Sequence, residues 1–181
     1  MIARPDSTEY APFYAGYVAS VPEGDVIAFL ERQIPEISEL AAFVPPARDT
    51  FRYADGKWSV REVFGHLQDG ERVMGHRAFS ISRDEATPLP GFDENLFVER
   101  SGYDRRPLAE LVSEWRAVRE SNLHVLRQLD AGAWTRLGVA NNLPVSVRAL
   151  AWIIAGHVEH HRSILGARYD VGPAGAKEGE S

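Results

Sequence analysis

Three of the chain's six histidines fall within five residues, in Gly156-His157-Val158-Glu159-His160-His161. Imidazole is the commonest protein metal ligand, and the spacing matters as much as the residue type. His157 and His161 are four residues apart, so on a helix their rings project from one face, one turn from each other. The apolar run around them (Val147, Leu150, Ile154, Val158, Leu165) marks a face to be buried. His66 stands at the edge of a second apolar line. Two histidines from one helix and one from a facing helix form a facial set of three nitrogens, which leaves a position open for water or substrate, as in catalytic zinc sites. The expected metal ligands are therefore His66, His157 and His161. Zinc and nickel lead as divalent ions, though imidazole also suits copper and iron. The competing reading is three partly buried histidines satisfied by hydrogen bonds alone.

On a helical wheel with His157 at zero, His161 lies at about 40°, His160 at about −60°, and the apolar face centres near 70°. His161 thus points inward, His157 borders the core, and His160 leans out to the rim. Glu159 points away from His157, and Val158 occupies the place of the glutamate in H-E-x-x-H, so a zincin-type base is missing. Paired Glu-x-x-His motifs of a di-iron bundle are also missing, which leaves a mononuclear site. His76, about 15 Å along the helix from His66, is too distant to share an ion. His124 is expected at the surface. The acid–base candidates are Asp69, one turn after His66, and Asp93, with Glu94 beside it. For each carboxylate the plainer role is a solvated charge or a helix cap. Water activated at the open position is one chemistry, and a thiol bound there is another. With no cysteine in the chain, such a thiol must come from outside. Arg77 and Arg119 are the candidate donors to its carboxylates.

Four amphipathic segments must position these groups. The first starts at Asp25, a capping residue, and carries Ile27, Leu30, Ile34, Ile37, Leu40 and Phe43, with a kink expected at Pro35. The second opens with Ser59 and Glu62, a capping box, and runs through Val60, Val63, Leu67, Met74, Ala78 and Ile81. The third starts near Pro107 and is stopped by Asp130-Ala131-Gly132; the fourth runs from about Val145 to Ala167. Residues 84–106 form a long connection with a short helix expected at Asp93. Residues 1–24 read as an extended or short-turn lead-in with its tyrosines packed on the body, and 133–144 as a loop. No convincing period-2 alternation or repeat is present. The expected class is all-α, a four-helix bundle with a long connection between helices two and three. One domain over residues 1–169 and a disordered tail over 170–181 are expected.

At 44% hydrophobic and 25% charged residues the composition is ordinary for a globular chain. A net charge of −6 without a basic block argues against a nucleic-acid partner. No apolar run approaches a membrane span, and the polar, proline-bearing start argues against a signal peptide, so a cytoplasmic protein is expected.

Trp58-Ser59-Val60-Arg61-Glu62-Val63-Phe64-Gly65-His66-Leu67, followed by Gly156-His157 through His161, resembles the DinB-like superfamily of four-helix bundles; Gly91-Phe92-Asp93-Glu94 is similar as well. The likeness spans about residues 10–168. It implies a metal site at His66, His157 and His161, and a homodimer. It also implies metal-dependent hydrolysis, or transfer using low-molecular-weight thiols such as bacillithiol or mycothiol, on a small-molecule substrate. The alternative is a non-catalytic, metal-binding bundle serving as a stress-related binding module.

Overall fold

Ser59 begins the helix that carries the first candidate ligand. Its hydroxyl accepts from the Glu62 N–H at 3.1 Å, and the Glu62 carboxylate accepts from the Ser59 N–H at 2.8 Å. Two backbone donors that the first turn leaves open are thereby satisfied, as the capping box predicts. The computed structural model describes residues 1–172. After two 3₁₀ turns the helices are α1 (Ala15–Ser20), α2 (Val26–Ala42), α3 (Val60–Ser82), α4 (Glu94–Ser101), α5 (Leu108–Leu126), α6 (Ala131–Thr135) and α7 (Val147–Tyr169). The four expected long helices are α2, α3, α5 and α7, and they form the bundle. Helix α2 is capped by Asp25 and stays helical through Pro35. The long connection carries α4, started by Asp93 as expected.

Helix α3 packs against α5 and α7, and α2 packs against the same two. Successive helices α2 and α3 therefore stand at opposite corners. The arrangement needs connections that cross the bundle, and residues 43–59 and 127–146 supply them, while the long segment 83–107 joins the neighbours α3 and α5. Two apolar clusters fill the interior, one around Trp152 and Leu150, the other around Trp115, Phe64 and Leu67. Among the described residues no helix is long and apolar enough to cross a membrane.

Three expectations are corrected. Residues 133–144 are not simply a loop: after α6, β1 (Leu137–Ala140) pairs antiparallel with β2 (Leu143–Ser146). Asn141 and Asn142 have φ of 52° and 61°, so both turn residues are left-handed, the two-residue geometry that matches strand twist. Four-residue strands, one bearing Pro144, are too short for alternation to register. The lead-in holds a helix, α1, which lies across α7. At Gly156 an added Cβ would sit 2.0 Å from the Tyr17 carbonyl oxygen, so the backbones meet where only glycine fits. Finally, the chain stays fixed past residue 169. Asp170 turns left-handed at φ 60°, the Val171 N–H donates to the Leu165 carbonyl at 3.0 Å, and Val171 is buried. Residues 173–181, the rest of the expected tail, lie outside the described residues.

A polar network crosses the apolar interior. Arg119 on α5 is fully buried and donates through Nε and Nη2 to the two carboxylate oxygens of Glu71 on α3, at 2.9 and 2.8 Å. Its Nη1 reaches the Leu30 carbonyl and Gln33 Oε1 on α2. Gln33 Nε2 in turn donates to the Ala155 carbonyl and to Glu159 on α7. All four bundle helices are joined in one chain of hydrogen bonds. Arg119→Met strands Glu71 as a buried charge and should cost about 3–5 kcal/mol, read by denaturant unfolding. Adding Glu71→Leu should recover part of that loss.

Candidate metal centre

His66 lies in the second turn of α3, and His157 and His161 lie one turn apart on α7. The three ring centroids form a near-equilateral triangle, with sides of 4.8, 4.8 and 4.6 Å. One ring nitrogen from each lies within 4.8 Å of the others. His66 Nε2 and His157 Nε2 are 2.9 Å apart, so one must carry the proton and the other accept it. The wheel's ordering holds: His161 is buried, His157 is partly covered, and His160 is exposed. His66, expected at an edge, is buried.

Neighbouring residues shape this triangle. Gly70 stands one turn after His66, and a Cβ there would lie 2.6 Å from His157 Cε1. The absent side chain is the space His157 occupies. Trp58 places its ring 4.6 Å from His66 and stacks on His161 at 6.4 Å. Tyr17, from α1, packs edge-on to His157 at 5.7 Å and touches His160 at 5.2 Å. An aromatic wall from two separate segments thus flanks the imidazoles.

Burial keeps the rings uncharged. It pushes His66 down to about 4. His157 and His161 are held well below the usual imidazole range by burial first and by neighbouring imidazoles second. The neutral ring is the form that offers a lone pair to a metal. Hydrogen bonding does not account for the cluster: His66 Nδ1 and His161 Nδ1 are buried without a partner among the described residues. Three uncharged imidazoles, each with a ring nitrogen within 4.8 Å of the others and two with a buried nitrogen unsatisfied, fit a divalent metal ion.

The carboxylate candidates are placed elsewhere. Asp93 accepts the Leu96 N–H at 3.0 Å and caps α4. Asp69 accepts the Tyr103 hydroxyl at 2.6 Å, and burial raises its pKa. Neither bonds to an imidazole among the described residues. Glu159 faces Gln33 and Arg162, away from His157 as the wheel indicates. His124 is exposed, as expected, and so is His76, which is not part of the cluster. Arg77 and Arg119, read as donors for a cosubstrate, are both buried: Arg77 binds Met74 Sδ and the Pro90 carbonyl, and Arg119 the interior network. Trp58, Tyr17 and Gly70 were not anticipated. Gly70, four residues after His66 and thus on its face, carried a readable signal; Tyr17 had none.

Residues 30–165 match the family model of the DinB superfamily. The chain belongs to the DinB superfamily. As a DinB superfamily member it shares its fold with YfiT from Bacillus subtilis, described as a probable metal-dependent hydrolase with an unusual four-helix bundle topology. The TM-score is 0.72 at 20% identity, covering 91% of this chain and 95% of YfiT. The DinB-like protein YjoA from Bacillus subtilis aligns with a TM-score of 0.55 at 16% identity, over 78% of this chain and 87% of that one. At these identities the likeness is one of fold. No curated protein matches this DinB superfamily sequence.

The depressed imidazole pKa values set a pH dependence for the metal-free protein. Between pH 6.5 and 4 an unfolded chain binds protons that folded His66 does not, so stability is lost as pH falls through that window. The melting temperature of the chelator-treated protein should drop over this range, and His66→Phe should flatten the drop. Parallel curves for the two proteins would contradict desolvation of this ring.

Proposed function

We propose that His66, His157 and His161 hold one divalent metal ion, and that the protein is a metal-dependent enzyme hydrolysing a small molecule. One observation carries the reading: three uncharged imidazole nitrogens from two helices converge within 4.8 Å. A three-nitrogen set without a protein carboxylate leaves coordination positions for water and substrate, unlike the closed four-ligand sets of structural zinc. The ion would supply Lewis acidity and acidify a water at neutral pH.

The chain's own residues hold the arrangement. Gly70 admits the His157 ring, and Trp58 and Tyr17 wall it from bulk solvent. Gln33 ties the Ala155 carbonyl and the Glu159 side chain, on either side of His157, to α2. YfiT, described as a probable metal-dependent hydrolase, supports the same reading through its shared fold. Transfer to an external thiol is the less favoured reaction, because the arginines expected to receive the thiol's carboxylates are engaged inside the protein.

Untagged protein should purify with about one zinc or nickel ion per chain, and His66→Ala and His161→Ala should lose it. Gly70→Ala keeps all three ligands but crowds His157, and should weaken metal affinity by about tenfold or more. Turnover on an ester and amide panel should vanish with chelation and return with metal. Metal-free wild type that refuses added zinc and nickel would overturn the assignment. Turnover only when a low-molecular-weight thiol is present would replace hydrolysis with transfer.

A further inference from the structure

Away from the histidines, α3, α4 and the start of α5 enclose a cleft of about 590 Å³. Its α3 wall is Gln68, Asp69 and Arg72; the last two lie about 60° and 120° round the helix from His66. None of the three imidazoles lines the cleft, which is distinct from their triangle, and its size suits a small-molecule ligand.

Three arginines meet there against two carboxylates, in a chain whose net charge is −6. Arg72 and Arg106 each donate at 2.6 Å, to different oxygens of Glu114. One carboxylate thus fixes two guanidinium groups side by side that would otherwise repel each other. Burial works against ionised Glu114, but bonds to Arg106 and Arg72 hold its carboxyl below the usual carboxylate range. Arg72 bonds Glu114 through Nη2, and Arg106 approaches it through Nη2 as well, so each five-donor guanidinium keeps further N–H groups for a ligand. Arg100, exposed in the last turn of α4, has no carboxylate partner among them. Planar guanidinium groups recognise carboxylates and phosphates through paired donors. Beside them Phe97 is 44% exposed, an apolar surface next to a cationic one. At the base, Gln68 is 2% exposed, and its Oε1, like Asp69 Oδ2, has no donor. Both are acceptors, so they call for a donor group on the ligand's body rather than for its anionic head.

We propose that this cleft binds a small organic anion, with its carboxylate or phosphate on Arg100 and the free donors of Arg72 and Arg106, and its apolar body against Phe97 and Leu96. The site is independent of the metal centre and would serve a second ligand. Each of the three surface arginines alone would contribute little in water. The pairing of Arg72 and Arg106 on one carboxylate, with Arg100 lining the same cleft beside an apolar wall, distinguishes it from a scattering of surface charges.

Amide-shift mapping of the full chain with phenyl phosphate, benzoate and inorganic phosphate tests the site. Phenyl phosphate or benzoate should bind saturably and shift residues 96–106, and the tighter of the two identifies the anion class. Arg100→Ala should weaken that binding by about tenfold, as expected for loss of a charge-assisted contact. Phe97→Ala should weaken the two aromatic probes but not inorganic phosphate. Arg116→Ala, which removes an exposed arginine paired with Glu120 outside the cleft, should change nothing. Both Arg100 and Phe97 are exposed, so the variants should fold. The proposal is overturned by non-saturating shifts with all three probes, by equal affinity in Arg100→Ala, or by shifts centred on His157 and His161.

Discussion

A buried guanidinium with every contact made inside the protein constrains the whole bundle. Arg119 is inaccessible to solvent, and its charge is matched by Glu71 through two parallel hydrogen bonds. Removing such a group from water is expensive, and the interior tolerates it only while the geometry is kept. Because its partners come from α2 and α3, and because Gln33 extends the network to α7, no helix slides or rotates without leaving a charge or amide unsatisfied. Apolar packing tolerates small shifts in register; this network does not.

That constraint bears directly on the imidazoles. Glu71 follows Gly70, the residue that makes room for His157, and Gln33 grips α7 at Ala155 and Glu159, on either side of His157. The same network therefore fixes the facing register of α3 and α7 on which the triangle of rings depends. Asn122 adds a tie from α5 by donating to the Glu71 carbonyl and carboxylate. The three histidines sit on regular helices rather than loops, so their positions follow from backbone geometry once the register is set.

Much of this was legible from local patterns. The i,i+4 spacing of His157 and His161, their order of burial, the Ser59–Glu62 box and the cap at Asp93 all depend on residues within a turn of each other. What the sequence withheld was non-local. Nothing in residues 15–20 announces a helix, because α1 is short and draws its stability from lying on α7. The hairpin hides behind strands of four residues and a pair of asparagines in place of the usual Asn-Gly. Arg77 and Arg119 read as surface arginines, since their acceptors lie on other segments. Asp69 stands one turn from His66 on α3, but the hydroxyl of Tyr103, from the segment after α4, takes up its carboxylate.

The crossing of α1 over Gly156 has a consequence for how the molecule comes to exist. His66 and His157 are 91 residues apart in the chain, and Tyr17 packs on His157 from still further away. During synthesis α1 emerges well before α7, which carries its main packing surface. The triangle of rings and its aromatic wall therefore cannot assemble until α7 leaves the ribosome. Chains truncated within α7 would expose both the apolar face of α1 and the interior flank of α3, the kind of surface that quality-control chaperones recognise.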